Sequence, residues 1–417
     1  MPQIPRDSSP DSSLAFWREG YDFISRRCRR YDADLFEVRL LLQKTICMRG
    51  EAAARLFYDN QRFVRQGAMP AAVIKTLLGE GGVQGLDDKA HRHRKQLFMS
   101  LMTPEAIGQL AKLTARQLRT AAERWAKTDR VVLFEALHEV LTRAVCAWAA
   151  VPLAEAEVES RTRDFGAMID AAGAVGPRLW WGRQARKRAE AWVGELVEQV
   201  RKGTLEVPEN SPLGVVARHR DLEGNRLERQ IAAVELLNLL RPVVAIARFV
   251  TFAALALHRY PHCRRALEEG DGDYRAWFVQ EVRRYYPFFP CVAARVRHDF
   301  TWNGYPFPRG TRVLLDLYGT DRDERLWEQP DSFHPERFRQ WDGSAYDFIP
   351  QGGGDHYHNH RCAGEWVTIE LMKVAVQALT ETMTYRVPPQ DLAIDPGRIP
   401  AIPASRFVIS DVSLTRA

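Results

Sequence analysis

Apolar residues recur at helical spacing along most of this chain. Leu110 to Lys127 and Val132 to Ala150 each show an apolar and a polar face, which predicts two helices packed on a core. Residues 365–384 carry the same period. The longest apolar helical stretch runs from about Leu227 to Tyr260, and its strongest run, Phe249 to Leu257, is too short to span a bilayer. Residues 202–213 and 219–226 are polar and Gly/Pro-containing, and read as connections. Strand signals gather between Cys291 and Leu317. There Asn303-Gly304, set between Phe300-Thr301-Trp302 and Tyr305-Pro306-Phe307, predicts a hairpin turn. A second strand signal covers Ser405 to Ile409. The pattern predicts a mainly α protein with small β-sheets at one edge. Residues 1–13 are polar and Pro/Ser-rich and read as a frayed tail. Residues 14–417 show neither repeats nor a central linker and are expected to form one domain.

One position breaks the apolar pattern of the long helix. Arg241 stands in its middle and is followed by Pro242. A guanidinium stays charged, and burying it without an anion costs several kcal/mol or so. Its helix neighbours three and four residues away are Asn238, Val244, Leu237 and Ala245, none of them an acid. Pro242 removes one backbone bond and frees the carbonyl of Asn238. Two readings follow: Arg241 waits for an anionic ligand, or it meets an acid from elsewhere in the fold.

A second anomaly lies near the C-terminus. Phe348 to Glu365 is a Gly-rich loop with one cysteine, Cys362, just ahead of the helix over residues 365–384. A helix N-terminus favours a thiolate, and glycines allow a flat cofactor to approach the backbone. A thiolate so placed can ligate haem iron. An ordinary buried cysteine is the bland alternative.

Two further motifs bear on that choice. Glu281 and Arg284 lie three apart on one helix face, and Phe333-His334-Pro335-Glu336-Arg337-Phe338 follows about fifty residues later. An ExxR pair, a PERF-like box and a Gly-rich cysteine loop, in this order and at these spacings, resemble the cytochrome P450 superfamily over most of the chain. The resemblance implies the cytochrome P450 fold, a haem b cofactor with Cys362 as proximal thiolate, and a structural charge cluster of Glu281, Arg284 and Arg337. The departures matter as much. Monooxygenases of the family carry an acid and a threonine in the central helix, where this chain reads Leu240-Arg241-Pro242-Val243-Val244-Ala245. The cysteine loop is longer than usual, and His360 replaces the common basic residue two before the cysteine. Both features resemble the fatty-acid peroxygenase branch, which uses hydrogen peroxide directly.

That resemblance implies a set of roles. Arg241 would bind the substrate carboxylate, and the catalytic positions would be Arg241, Pro242 and Gln84. Gln84 would sit above the haem as in hydroxylating relatives, and Leu78 would line the substrate pocket, biasing chemistry toward the α carbon. His91 and Lys95, at i and i+4, and Arg65 would hold the haem propionates. The partners expected are a long-chain fatty acid and hydrogen peroxide, with no dedicated redox partner. A conventional monooxygenase and a non-catalytic haem sensor are the alternatives.

Composition adds little that changes this. A net charge of +6 and 46% hydrophobic residues suit anionic substrates and a large core. The basic residues are spread along the chain without a nucleic-acid-binding motif, which argues against nucleic acid. Short clusters at 26–30 and 183–188 read as solvated helix faces. Six scattered cysteines without CxxC argue against zinc or disulfide frameworks and suit a reducing compartment. The N-terminus lacks the apolar core of a signal peptide or membrane anchor, so a cytoplasmic location is expected.

Overall fold

The apolar stretch around Arg241 is one 31-residue helix, Arg229–Arg259, that continues through Pro242. The computed structural model describes residues 3–270 and 273–415. Among these, the helices of twelve residues or more are α1 (Asp88–Ser100), α2 (Pro104–Trp125), α3 (Leu133–Trp148), α4 (Val158–Asp170), α5 (Pro177–Lys202), α6 (Arg229–Arg259), α7 (Tyr274–Tyr285) and α8 (Glu365–Gln377). Helix α6 is the axis of the main core and packs against α3, α5 and α8. By length and composition it would cross a bilayer, but 89% of its apolar window is buried inside the protein. The sequence estimate of a run too short to span therefore understated the helix, and its apolar surround is protein.

The amphipathic segments form as expected, with shifted ends. Helix α2 starts at Pro104, six residues before the expected Leu110. Thr103 caps it by accepting from Ala106 N, and proline occupies the first turn, where its missing N–H costs nothing. Helix α8 ends at Gln377, and a π-helical turn, Ala378–Thr382, leads into a strand.

The strands are β1 (Leu35–Leu40), β2 (Gln43–Met48), β3 (Phe63–Val64), β4 (Arg130–Val132), β5 (Cys291–Val296), β6 (Phe300–Trp302), β7 (Tyr305–Phe307), β8 (Arg312–Asp316), β9 (Met383–Arg386) and β10 (Val408–Leu414). They form a five-stranded sheet in the order β1-β2-β8-β5-β3, a three-stranded sheet β4-β10-β9, and the hairpin β6-β7. The hairpin is the expected one: Trp302 faces Tyr305, and both turn residues, Asn303 and Gly304, have positive φ.

Two expectations fail near surface charges. Residues 5–12 do not form a free tail. Asp7 N donates to Glu37 O, Ser12 N donates to Arg39 O, and the Asp7 carboxylate accepts from Arg27 Nε at 2.6 Å, so this segment lies along β1. The clusters at 26–30 and 183–188 are not wholly solvated either. Arg27 is buried between Asp7 and Glu19, and Arg186 is buried beneath the turn at Leu77.

Candidate active site

Three side-chain groups are assembled from α7, the start of α8 and the segment 65–95. The first is the charge cluster. Arg284 makes a bidentate pair with Glu281 at 2.7 and 2.8 Å, and Arg337 Nε reaches the same carboxylate at 3.3 Å. Arg284 also donates to the carbonyls of Asp321, Pro330 and Ser332, so a fully buried ion pair ties α7 to the chain that leads to the cysteine loop.

The second is the cysteine loop itself. Cys362 N donates to Gln351 O at 3.0 Å, and Gln351 Nε2 faces the sulfur at 3.7 Å. Glu365, at the start of α8, accepts from Arg283 at 2.5 Å, Arg361 at 2.6 Å and His356 at 3.0 Å. Burial alone would raise its pKa, but these three donors hold the carboxyl well below the usual range. Neither Glu365 nor Arg361 was singled out in the sequence, although their i, i+4 spacing beside Cys362 was a usable signal. For Cys362 the helix-terminus argument is insufficient. Burial pushes the thiol up, with Lys95 opposing.

The third group is a set of buried bases beside that loop. Lys95 Nζ donates to Arg361 O, and His91 stacks on His360 with ring centroids 3.8 Å apart. His360 meets Leu86 O at 2.9 Å through Nε2, while its Nδ1 is buried without a partner. Arg65 lies over the Phe57 ring at 4.2 Å. Burial pushes Arg65 down to about 10, Lys95 to about 8 and His91 to about 4. Among the described residues none of the three forms an ion pair with a carboxylate. Buried bases lacking acids beside a half-buried cysteine fit a cofactor that brings its own carboxylates and a thiol-binding metal.

Arg241 lies mid-way along α6. It is buried, and its Nη2 donates to Asn238 Oδ1 at 3.3 Å while Nε has no partner. No carboxylate meets it among the described residues, so the alternative of an acid from elsewhere in the fold is not realised. Burial pushes its pKa down to about 9. The Arg186 charge adds to the fall and Cys362 opposes it. Pro242 follows it on α6. Gln84 lies on the turn Val83–Gly85, with Oε1 accepting from Asn238 Nδ2 at 3.3 Å. Leu78 ends a π-helical turn, Ile74–Leu78, that packs on α4 and α5. Gly79 reverses the chain there at φ 89, and a Cβ on it would come within 2.1 Å of Arg186 Nη2. Asn238 was named in the sequence only as a helix neighbour, and Glu235 and Arg94, which reach Arg241 through it, were missed.

The cytochrome P450 family profile matches residues 273–397, from the charge cluster through the cysteine loop. Over the whole chain, the structure of a variant of cytochrome P450SP alpha (CYP152B1) is 50% identical, with 98% of this chain and 100% of that one covered at a TM-score of 0.96. The chain belongs to the fatty-acid peroxygenase branch of the cytochrome P450 superfamily. Cytochrome P450EX alpha (CYP152N1), solved with myristic acid, is 45% identical over 99% of both chains at a TM-score of 0.96. Cytochrome P450 OleT, solved as a variant with arachidonic acid, is 36% identical over 99% of both chains at 0.97. Plant relatives are more distant. Taxoid 14-beta-hydroxylase of Taxus cuspidata is 24% identical over 90% of this chain. The match to rhazimal synthase of Alstonia scholaris spans only 34% of that protein. As a P450, the protein is a haem-thiolate oxidoreductase with haem b as cofactor.

Proposed function

We propose that this P450 uses hydrogen peroxide to hydroxylate long-chain fatty acids, mainly at the α carbon, with the substrate carboxylate seated on Arg241. The observation that carries this reading is the buried Arg241 guanidinium, which meets an amide oxygen and no acid among the described residues. A fork of parallel N–H donors suits a carboxylate in both charge and shape. Cys362 would ligate the haem iron, and Arg65, His91 and Lys95 would take its propionates. When bound, the haem supplies the oxidising chemistry.

The chain supplies position and proton handling. In the net reaction a C–H bond and H2O2 become C–OH and H2O, so one peroxide oxygen must lose a proton and the other must gain one. Arg241 cannot do this, because arginine stays protonated. Pro242, Val243 and Val244 carry no acid or alcohol. The bound carboxylate can move the proton, which makes the substrate its own acid–base catalyst. Seating the carboxylate on Arg241 also holds the α and β carbons closest to the oxidant. Leu78, smaller than an aromatic, lets the carboxyl end sit deep, and Gln84 provides an amide on the same side. No redox partner is needed, since peroxide brings both oxygen and oxidising equivalents.

The test is turnover of long-chain fatty acids with peroxide alone. Wild type should form 2-hydroxy acids, Arg241→Leu should lose turnover by orders of magnitude while retaining haem, and Arg241→Lys should rescue poorly. Near-normal activity in Arg241→Leu, or activity that needs an electron-transfer partner, would sink the reading.

A further inference from the structure

Helix α6 buries one carboxylate outright. Glu235 is completely shielded from solvent, six residues before Arg241 on the same helix. Its Oε1 accepts from Arg94 Nη1 of α1 at 2.7 Å, and its Oε2 accepts from Asn238 Nδ2 at 3.1 Å. Both partners are donors, so the ionised carboxylate satisfies both contacts. Burial raises the Glu235 pKa, and Arg94 opposes that rise.

This carboxylate decides which way two amides point. An ionised carboxylate only accepts hydrogen bonds, so the end of Asn238 that faces it must be the NH2. The Asn238 oxygen is then turned to Arg241 Nη2 at 3.3 Å, and its nitrogen also reaches Gln84 Oε1 at 3.3 Å. With its oxygen committed, Gln84 is left offering an NH2 donor. The chain leaves room for this link at Gly82, where a Cβ would lie 3.1 Å from both Asn238 Nδ2 and Gln84 Oε1 and 3.0 Å from Val234 Cγ1.

We propose that Glu235 is a positioning residue that fixes the polarity of the Asn238 and Gln84 amides and, through Asn238, aims the Arg241 fork. The inference rests on the proposed seating of the fatty-acid carboxylate on Arg241. It goes beyond an ion pair that merely fastens α1 to α6. A fastening pair would affect unfolding, whereas a positioning pair also alters how the acid binds and where it is oxidised.

The experiment uses haem-loaded protein and reads three quantities: the fatty-acid dissociation constant from the haem absorbance change, the α-to-β product ratio, and the unfolding midpoint. Arg94→Leu/Glu235→Leu removes both buried charges together and so leaves no orphan charge. Asn238→Leu cuts the link and keeps the ion pair. Each should weaken fatty-acid binding by about 10-fold or more, the scale of a hydrogen bond to a charged group. Each should also lower the α fraction, and combining them should add little, because they break one chain of contacts. If removing the pair prevents folding, Gly82→Ala tests the same link without touching a charge and should shift the product ratio in the same direction. Wild-type binding and product ratio in Arg94→Leu/Glu235→Leu, or in Gly82→Ala where that pair variant does not fold, would overturn the proposal. Arg241→Leu is the control. If it still binds fatty acid, the functional reading has failed; if it alone loses binding, only the role of Glu235 has.

Discussion

A cation held ready for a ligand should weaken the protein that carries it, and Arg241 allows that cost to be gauged. Burial pushes its pKa from 12.5 to about 9, which corresponds to about 5 kcal/mol of penalty for keeping the charge. The hydrogen bond to Asn238 returns part of this. Arg241→Leu should therefore raise the stability of the fatty-acid-free, haem-loaded protein by about 1–4 kcal/mol, the range seen when buried ionic groups give way to apolar ones. Arginine stays protonated, so the penalty persists across neutral pH and the gap between variant and wild type should not change there. Denaturant titration at neutral pH, followed by circular dichroism, measures the effect. A long-chain fatty acid at about 100 times its dissociation constant should then add about 2.7 kcal/mol to wild type and nothing to the variant. A Leu variant less stable than wild type without ligand would refute the reasoning, because it would mean that Arg241 has a structural partner.

Other expectations follow from the same contacts. Cys362→Ala should abolish the red-shifted Soret band of the reduced carbonyl complex together with peroxide-driven turnover; a variant that keeps both would reassign the ligand. Glu281→Gln leaves the buried Arg284 guanidinium without its bidentate partner, so it should lower unfolding free energy by about 3–5 kcal/mol, measured by denaturant titration. A loss below about 1 kcal/mol would mean the cluster is not structural.

What could be read from the chain was whatever leaves a local trace. Helix α6 and the β6-β7 hairpin were legible because period and turn chemistry are local. The Glu281–Arg284 pair was legible because a helix brings residues three apart together. The five-stranded sheet was only half visible. Strands β1, β2 and β3 come from the N-terminal region, and their pairing with β8 and β5 spans more than two hundred residues. Residues 5–12 looked like a tail because their partners, Glu37, Arg39 and Arg27, give a polar segment its structure only once β1 exists. Glu235 was hidden for a similar reason. On α6 it reads as one polar residue near a helix start, and its meaning depends on Arg94 from a different helix. The Cys362 thiol shows the converse, where the local dipole argument was legible but burial outweighs it.

The central claim is that the acid–base group belongs to the substrate and not to the protein. It is tested most directly with substrates that lack a carboxylate, such as styrene or guaiacol, and hydrogen peroxide as the only oxidant. These should turn over poorly alone and well once a short carboxylic acid, too small to fill the pocket, is added. An amide of the same size should have no effect, because it cannot carry the charge that Arg241 pairs with. Arg241→Leu should abolish the rescue. Equal turnover with and without the short acid would contradict the account and place the proton relay in the protein itself.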